Sequence, residues 1–264
     1  MHKVCYFAGM RTLFYGLLAI VAVSCGVRNF QYYYFPAVSV SNKIQRDSSM
    51  VNYLKPYKDS LTVFTAGNVG KTDTGYFTER PSSNLGSLCA DLVLRTGDSV
   101  LFAKTGMHAD LSVLNLGGLR TALPSGSITM GNMYEVMPFE NNVVVVKLSG
   151  MAMDSLFRHV LKRGGEPISG LKLEVDEKLN YTAILGERRF DSRRDYWVAT
   201  SDYLALGGDG FAMFNRPLDI MYTGISVRRA LTIGIQQETA KFGVVQKRTE
   251  RRIVYANEAS VPKK

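Results

Sequence analysis

A single α/β to α+β domain built on a mixed sheet follows from three features of this sequence. Short β-branched runs alternate with helical segments from about residue 60 to about residue 256, the signature of strands and helices sharing one sheet. That block is long enough to bury one full-sized core. The composition is that of an ordinary globular chain, 46% hydrophobic and 21% charged over 264 residues with 24 Gly and 8 Pro. Collagen-like, disordered and mini-protein readings are excluded.

Residues 1–24 come first and read as an address rather than as structure. Lys3 and Arg11 precede an apolar stretch from Leu13 to Ser24, which is shorter than the roughly 20 residues a helix needs to cross a bilayer. Small residues follow up to Cys25, the layout of a secretory signal. A Cys at the cleavage point resembles a bacterial lipobox, so Cys25 is the expected lipidation site; an ordinary signal peptide with an incidental Cys is the plainer alternative. On the lipobox reading the mature chain is an exported lipoprotein, held at a membrane on the periplasmic side or at the cell surface. Each buried CH₂ of the acyl chains would contribute about 0.8 kcal/mol. Removing the signal strips two positive charges from the net +9, so the basic balance belongs to the exported part. No block of pure Lys/Arg concentrates it. A diffuse field of this kind suits small anionic ligands, and no nucleic-acid partner is expected.

Residues 25–59 show no sustained period of 3.6 or 2 and read as a tether. The domain is expected over residues 60–256. β-branched runs predict strands at 61–66, 111–114, 142–148, 171–175 and 196–200. A helix is predicted at 84–96, where Leu85, Leu88, Cys89 and Leu92 fall at i, i+3, i+4 and i+7 behind Asn84, an N-cap candidate. Further helices are predicted at 151–162 and 227–242. Residues 253–255, after the Lys/Arg-rich stretch 247–252, read as an edge strand, and residues 257–264 as a tail. Cys89 lies on an apolar helix face and reads as a small buried hydrophobe. With Cys5 lost and Cys25 acylated, no partner remains for an internal disulfide.

Three loops carry the chemistry. The helix at 84–96 presents an N-terminus that attracts anions, with Arg80 just before it, although a capped structural helix beside a surface Arg explains the same residues. The strand at 111–114 runs into Asn115-Leu116-Gly117-Gly118-Leu119-Arg120. Gly117 and Gly118 permit tight backbone beside a ligand, and Arg120 offers a planar fork that matches phosphate oxygens; a plain turn is the simpler account. The strand at 196–200 runs into Ser201-Asp202-Tyr203-Leu204-Ala205-Leu206-Gly207-Gly208-Asp209-Gly210. Here Asp209 can accept two hydroxyls, as a ribose diol requires, or can close an Asx turn on its own backbone. Between these loops lies Phe139, either a ring face or core. Two aromatic faces, a diol acceptor, an amide and guanidinium groups are the parts of a nucleotide site.

Five ordered motifs then define a resemblance. Ser83-Asn84-Leu85-Gly86-Ser87-Leu88, Asn115 through Arg120, Tyr134-Glu135-Val136-Met137-Pro138-Phe139, Ser169-Gly170-Leu171, and Ser201 through Gly210 resemble the C-terminal domain of the 5′-nucleotidase/UDP-sugar hydrolase family. The resemblance spans about residues 61–242. It implies a substrate-binding domain in which Phe139 and Tyr203 clamp the base, Asp209 takes the ribose hydroxyls, Asn115 contacts the nucleoside and Arg120 reaches toward phosphate. The pattern departs at Glu79, which stands where the family places a second phosphate-binding Arg and leaves only Arg80 nearby, and at Leu116, where a third Gly is frequent.

In that family hydrolysis belongs to a separate metallophosphatase domain with two metal ions. Such a centre needs several His and carboxylate ligands, and only His108 and His159 remain after signal removal. His108 reads as a loop residue and His159 as a helix-surface residue. No nucleophile elbow is present. The chain is therefore expected to hold no metal or other cofactor, to be inactive alone, and to recognise a nucleotide or nucleoside for a separate metallophosphatase chain that carries divalent metal ions. The alternative is a non-catalytic lipoprotein that captures nucleotides for scavenging.

Overall fold

The computed structural model describes residues 45–262; the expected export signal and Cys25 lie outside them. The chain divides into two compact units, Met1–Val51 and Asn52–Lys264. In the described part of the first, Asp47 Oδ1 accepts from the Ser49 backbone N–H at 2.8 Å and from its hydroxyl at 2.6 Å.

Helix α1 spans Ser48–Thr65, which corrects one expectation: residues 61–66 are not a strand; residues 48–59, within the expected tether, are helical and exposed. The run Leu61-Thr62-Val63 simply continues a helix already under way. β-branched residues cost only a few tenths of a kcal/mol per position, too little to stop a nucleated helix. The Thr62 and Thr65 hydroxyls bond back to the Lys58 and Leu61 carbonyls, each at 2.8 Å.

Past α1 the chain runs β1 (Asn68–Thr72), α2 (Asn84–Thr105), β2 (Leu111–Val113), β3 (Gly126–Thr129) and α3 (Met130–Val136). There follow β4 (Asn142–Ser149), α4 (Gly150–Lys162), β5 (Ile168–Ser169), β6 (Leu171–Val175), β7 (Tyr181–Leu185) and β8 (Arg188–Arg189). The last elements are β9 (Asp195–Ser201), a short α5 (Asp202–Ala205), β10 (Asp219–Ser226), α6 (Val227–Phe242) and β11 (Ile253–Tyr255). The mixed α/β architecture matches the predicted fold class. Helix α2 runs nine residues further than expected, to a left-handed cap at Gly106.

The central sheet has the order β10-β4-β9-β2-β5. It is mixed: β2 and β9 are parallel, while β4 is antiparallel to both β9 and β10. A second sheet has the order β11-β6-β7-β8, with β11 on its edge, parallel to β6, and β1 pairs with β3. The valine run of β4 is buried on both faces. Val144, Val146 and Leu148 join Met153, Leu156 and Phe157 of α4 in one core cluster, and Val143 joins Leu88, Leu92, Leu231 and Ile235 of α2 and α6 in another. Both clusters draw on a strand covered on two sides, which is why the sequence reads as a continuous apolar run. Gly97 lets α2 approach this sheet: a Cβ there would stand 2.8 Å from the Ala199 methyl. Cys89 is buried in the α2 face, and burial pushes its thiol up to about 12.

Ion pairs tie the stretch before β11 to the helices. Arg248 bonds Asp91 at 3.0 Å and the buried Glu238 at 2.6 Å, and Arg252 reaches Asp91 at 2.7 Å. No helix among the described residues is long and apolar enough to cross a membrane.

Candidate functional site

Strand register decides which loops meet. Leu111 pairs with Val198 and Ser112 with Ala199 in parallel, while Val143 pairs with Ser201 in antiparallel register. The C-terminal ends of β2 and β9 and the start of β4 therefore lie along one edge of the sheet. The loops leaving or entering there enclose a cavity of about 360 Å³. Asn115, Gly117, Gly118 and Arg120 reach it from the turn after β2, Phe139 and Asn141 from the loop before β4, and Tyr203 and Asp209 from the segment after β9. Seven of the eight candidate substrate-binding residues thus share one cavity; the eighth, Arg80, does not. Phe139 and Tyr203 each keep 42% of their surface exposed, unusual for large rings in a core-forming segment.

Asp209 is the hub of the polar side. Tyr203 Oη donates to its Oδ1 at 2.9 Å. Asn115 Nδ2 donates to Oδ2 at 2.9 Å and Arg163 Nη2 to the same oxygen at 3.1 Å. The Asp209 hydrogen bond, followed by its charge, pushes the Tyr203 hydroxyl above its ordinary value. The residue is held at φ 52°, ψ 22°, between the left-handed Gly207 and Gly210, a conformation that Asp tolerates better than most side chains. Gly208 is required by contact rather than by φ, because a Cβ would stand 2.5 Å from Tyr203 Cζ.

Several supports were not legible in the sequence. Arg163, the C-cap of α4, also donates from Nη1 to the Asp209 carbonyl at 3.2 Å, and its Nε bonds Glu166. Glu166 is fully buried and accepts from the Leu116 backbone N–H at 2.5 Å, so it anchors the 3-10 turn Leu116–Gly118 from beneath. Arg228 lies 3.8 Å over the Tyr134 ring, donates to the Met137 carbonyl at 3.0 Å and pairs with Glu140. It thereby pins the loop that carries Phe139. None of these residues belongs to a recognisable local pattern; apart from the Arg163–Glu166 pair, three positions apart, their contacts join distant parts of the chain.

Three expectations need correction. Arg80, expected beside the site, does not line the cavity: its guanidinium bonds the carbonyls of Arg163 and Gly165 and lies 3.6 Å from Glu166. The N-cap of α2 is Ser83, whose hydroxyl accepts from Gly86 N–H at 3.0 Å. Asn84 instead accepts from Phe77 N–H at 2.7 Å and donates to Gly75 at 3.0 Å, bracing the preceding turn. His159 is not a solvated surface residue. Its Nε2 lies 3.2 Å from the Asp209 carbonyl and its ring meets Phe211 edge-on at 4.4 Å; burial pushes its pKa down. His108 is exposed, as predicted, and pairs with Asp98 at 2.9 Å. Ser169, from the resemblance motifs, lies off the cavity and donates to Asp91 at 2.6 Å.

Among the described residues, no group of three or more His, Cys, Asp or Glu side chains could hold a metal ion.

Comparison with known proteins gives a consistent result. The pattern of the 5′-nucleotidase C-terminal domain matches residues 68–216. The 5′-nucleotidase of Vibrio parahaemolyticus is 24% identical over 199 residues, 72% of this chain and 34% of that protein. Protein UshA of Escherichia coli is 26% identical over 211 residues, 75% of this chain and 36% of that protein. The crystal structure of a 5′-nucleotidase precursor from Thermus thermophilus superposes with a TM-score of 0.64 at 24% identity, covering 78% of this chain and 43% of that one. The chain spans about a third of the length of these two curated relatives.

Proposed function

This chain belongs to the 5′-nucleotidase C-terminal domain family, and on that premise we propose that it binds a nucleoside or nucleotide in the Phe139/Tyr203 cavity and presents it to a metallophosphatase carried on a separate chain. The observation that carries the reading is the convergence of two exposed rings, the Asn115 amide, the Arg120 guanidinium and the Asp209 carboxylate on one cavity of about 360 Å³. Stacking on an aromatic side chain contributes roughly 1–3 kcal/mol per base, so a base between Phe139 and Tyr203 dominates affinity. Arg120 lines the same cavity and supplies the donors that meet phosphate. Arg80 cannot assist it. One guanidinium rather than two makes phosphate the weaker part of recognition.

Hydrolysis would fall to the partner, whose two metal ions would clamp the attacking and leaving oxygens. Anchoring through a lipidated Cys25 would hold the chain at an exocytoplasmic membrane face, where an exported phosphatase meets it.

The test mixes the protein with an exported metallophosphatase and a divalent cation and follows phosphate release from AMP, with calorimetry of nucleoside binding alongside. Release above that of the phosphatase alone is the expected result. Nucleoside binding without any stimulation would remove the split enzyme and leave nucleotide capture; no binding would remove the nucleotide reading itself.

A further inference from the structure

The polar wall of the cavity is already in use. A carboxylate offers about four acceptor positions, two on each oxygen. Oδ2 of Asp209 receives both Asn115 Nδ2 and Arg163 Nη2, at 2.9 and 3.1 Å, and Oδ1 receives the Tyr203 hydroxyl at 2.9 Å. A vicinal diol binds a carboxylate with one hydroxyl to each oxygen. Here Oδ2 is filled by two donors, one of them a guanidinium within an ion pair whose carboxylate side is 26% exposed, and Oδ1 retains room for at most one more.

We infer that Tyr203 is a specificity residue: its hydroxyl occupies an Asp209 acceptor position that a second sugar hydroxyl would need, so the site takes nucleosides with a single sugar hydroxyl as well as or better than those with a ribose diol. The inference rests on the nucleoside reading above and deepens it by naming the sugar class. The Tyr203 ring and its hydroxyl have separate roles. The ring faces the cavity, and the hydroxyl links it to Asp209, held there because Gly208 lets the ring lie against the 207–210 backbone. A ribose entering this site either makes a single bond to the carboxylate or displaces the Tyr203 hydroxyl from its charge-assisted bond. Either way the second sugar hydroxyl adds no net bond to the carboxylate, so the diol loses the advantage it has where both oxygens can accept. The Asn115 and Arg163 bonds also keep the carboxylate from turning to free Oδ2.

Calorimetric titration of the whole protein with adenosine and uridine, and with their 2′-deoxy and 3′-deoxy counterparts, tests this, together with Tyr203→Phe, which keeps the ring and removes only the hydroxyl. At least one monodeoxy nucleoside should bind wild type as tightly as its parent. In Tyr203→Phe the parent should gain on that deoxy ligand by about tenfold. A wild-type preference for the parent over both deoxy forms, or an unshifted ratio in the variant, overturns the inference while leaving nucleoside binding intact. Absence of binding by every ligand overturns the nucleoside reading and this inference with it.

Discussion

Arg163 Nη2 donates to Asp209 Oδ2 at 3.1 Å while its Nε engages the buried Glu166. One guanidinium at the end of α4 thus joins the glycine loop after β9 to the turn after β2, since Glu166 also accepts from Leu116 N–H at 2.5 Å. Arg163→Ala leaves Glu166 partly unpaired in the interior, and breaking a buried pair costs about 3 kcal/mol. Denaturant unfolding should show a loss of this order. Nucleoside affinity, measured by calorimetry below the transition, should fall about tenfold as Asp209 loosens. Arg163→Lys should not restore either property, because an ammonium lacks the planar fork that serves two carboxylates.

The ring pair makes a separate prediction. Phe139→Ala and Tyr203→Ala should each weaken nucleoside binding by one to two orders of magnitude, the equivalent of about 1–3 kcal/mol of stacking. Both positions are 42% exposed, so fold stability should change little, and thermal melts serve as the control. Unchanged affinity in both variants would place the ligand elsewhere.

Acid stability should depend on Glu238. Burial pushes its carboxyl up, but the Arg248 and Gln246 hydrogen bonds and the charges of Arg248 and Arg95 more than offset this and hold it below its ordinary value. The unfolded chain therefore binds the proton more readily, near its unperturbed value of about 4.3. Stability from this group is complete above that value and is lost as pH falls through the lower folded value. Urea unfolding from neutral pH downward should show the decline, and Glu238→Gln should lower stability at neutral pH and flatten the acid limb.

His159 should behave in the same sense through a different cause. Burial against Phe211 and the Asp209 loop depresses its pKa, so the folded protein takes up this proton less readily than the unfolded chain. Its contribution is present above the unfolded value of about 6.5 and fades as pH drops through the folded one. An NMR titration should place His159 below the ordinary histidine range. A titration at or above that range would contradict the burial of its ring against the site.

Much of the fold was legible because local chemistry and tertiary context agreed. The apolar spacing of residues 227–242 and the alternation of residues 171–175 reproduce α6 and β6 at their observed bounds. The failures occurred where a local preference is weak. Leu61-Thr62-Val63 favours a strand by a margin smaller than the cooperativity of an existing helix, and Asn84 and Ser83 are both good caps by type. At the site, the motif residues were legible because glycine, aromatic and carboxylate positions recur in one order. Arg163, Glu166 and Arg228 were not, since nothing in their neighbours marks them.

By itself the sequence determined the class of fold, the family and the loops that carry Asn115, Phe139, Tyr203 and Asp209, because backbone freedom at glycine and the period of apolar residues are local properties. Only the tertiary structure decided that Arg80 is consumed beneath the site, that Arg163 takes its place beside Asp209, and that the Tyr203 hydroxyl fills part of the carboxylate. Which donors meet a carboxylate depends on strand register and on competition among charged groups far apart in the chain, and neither is encoded within any one motif.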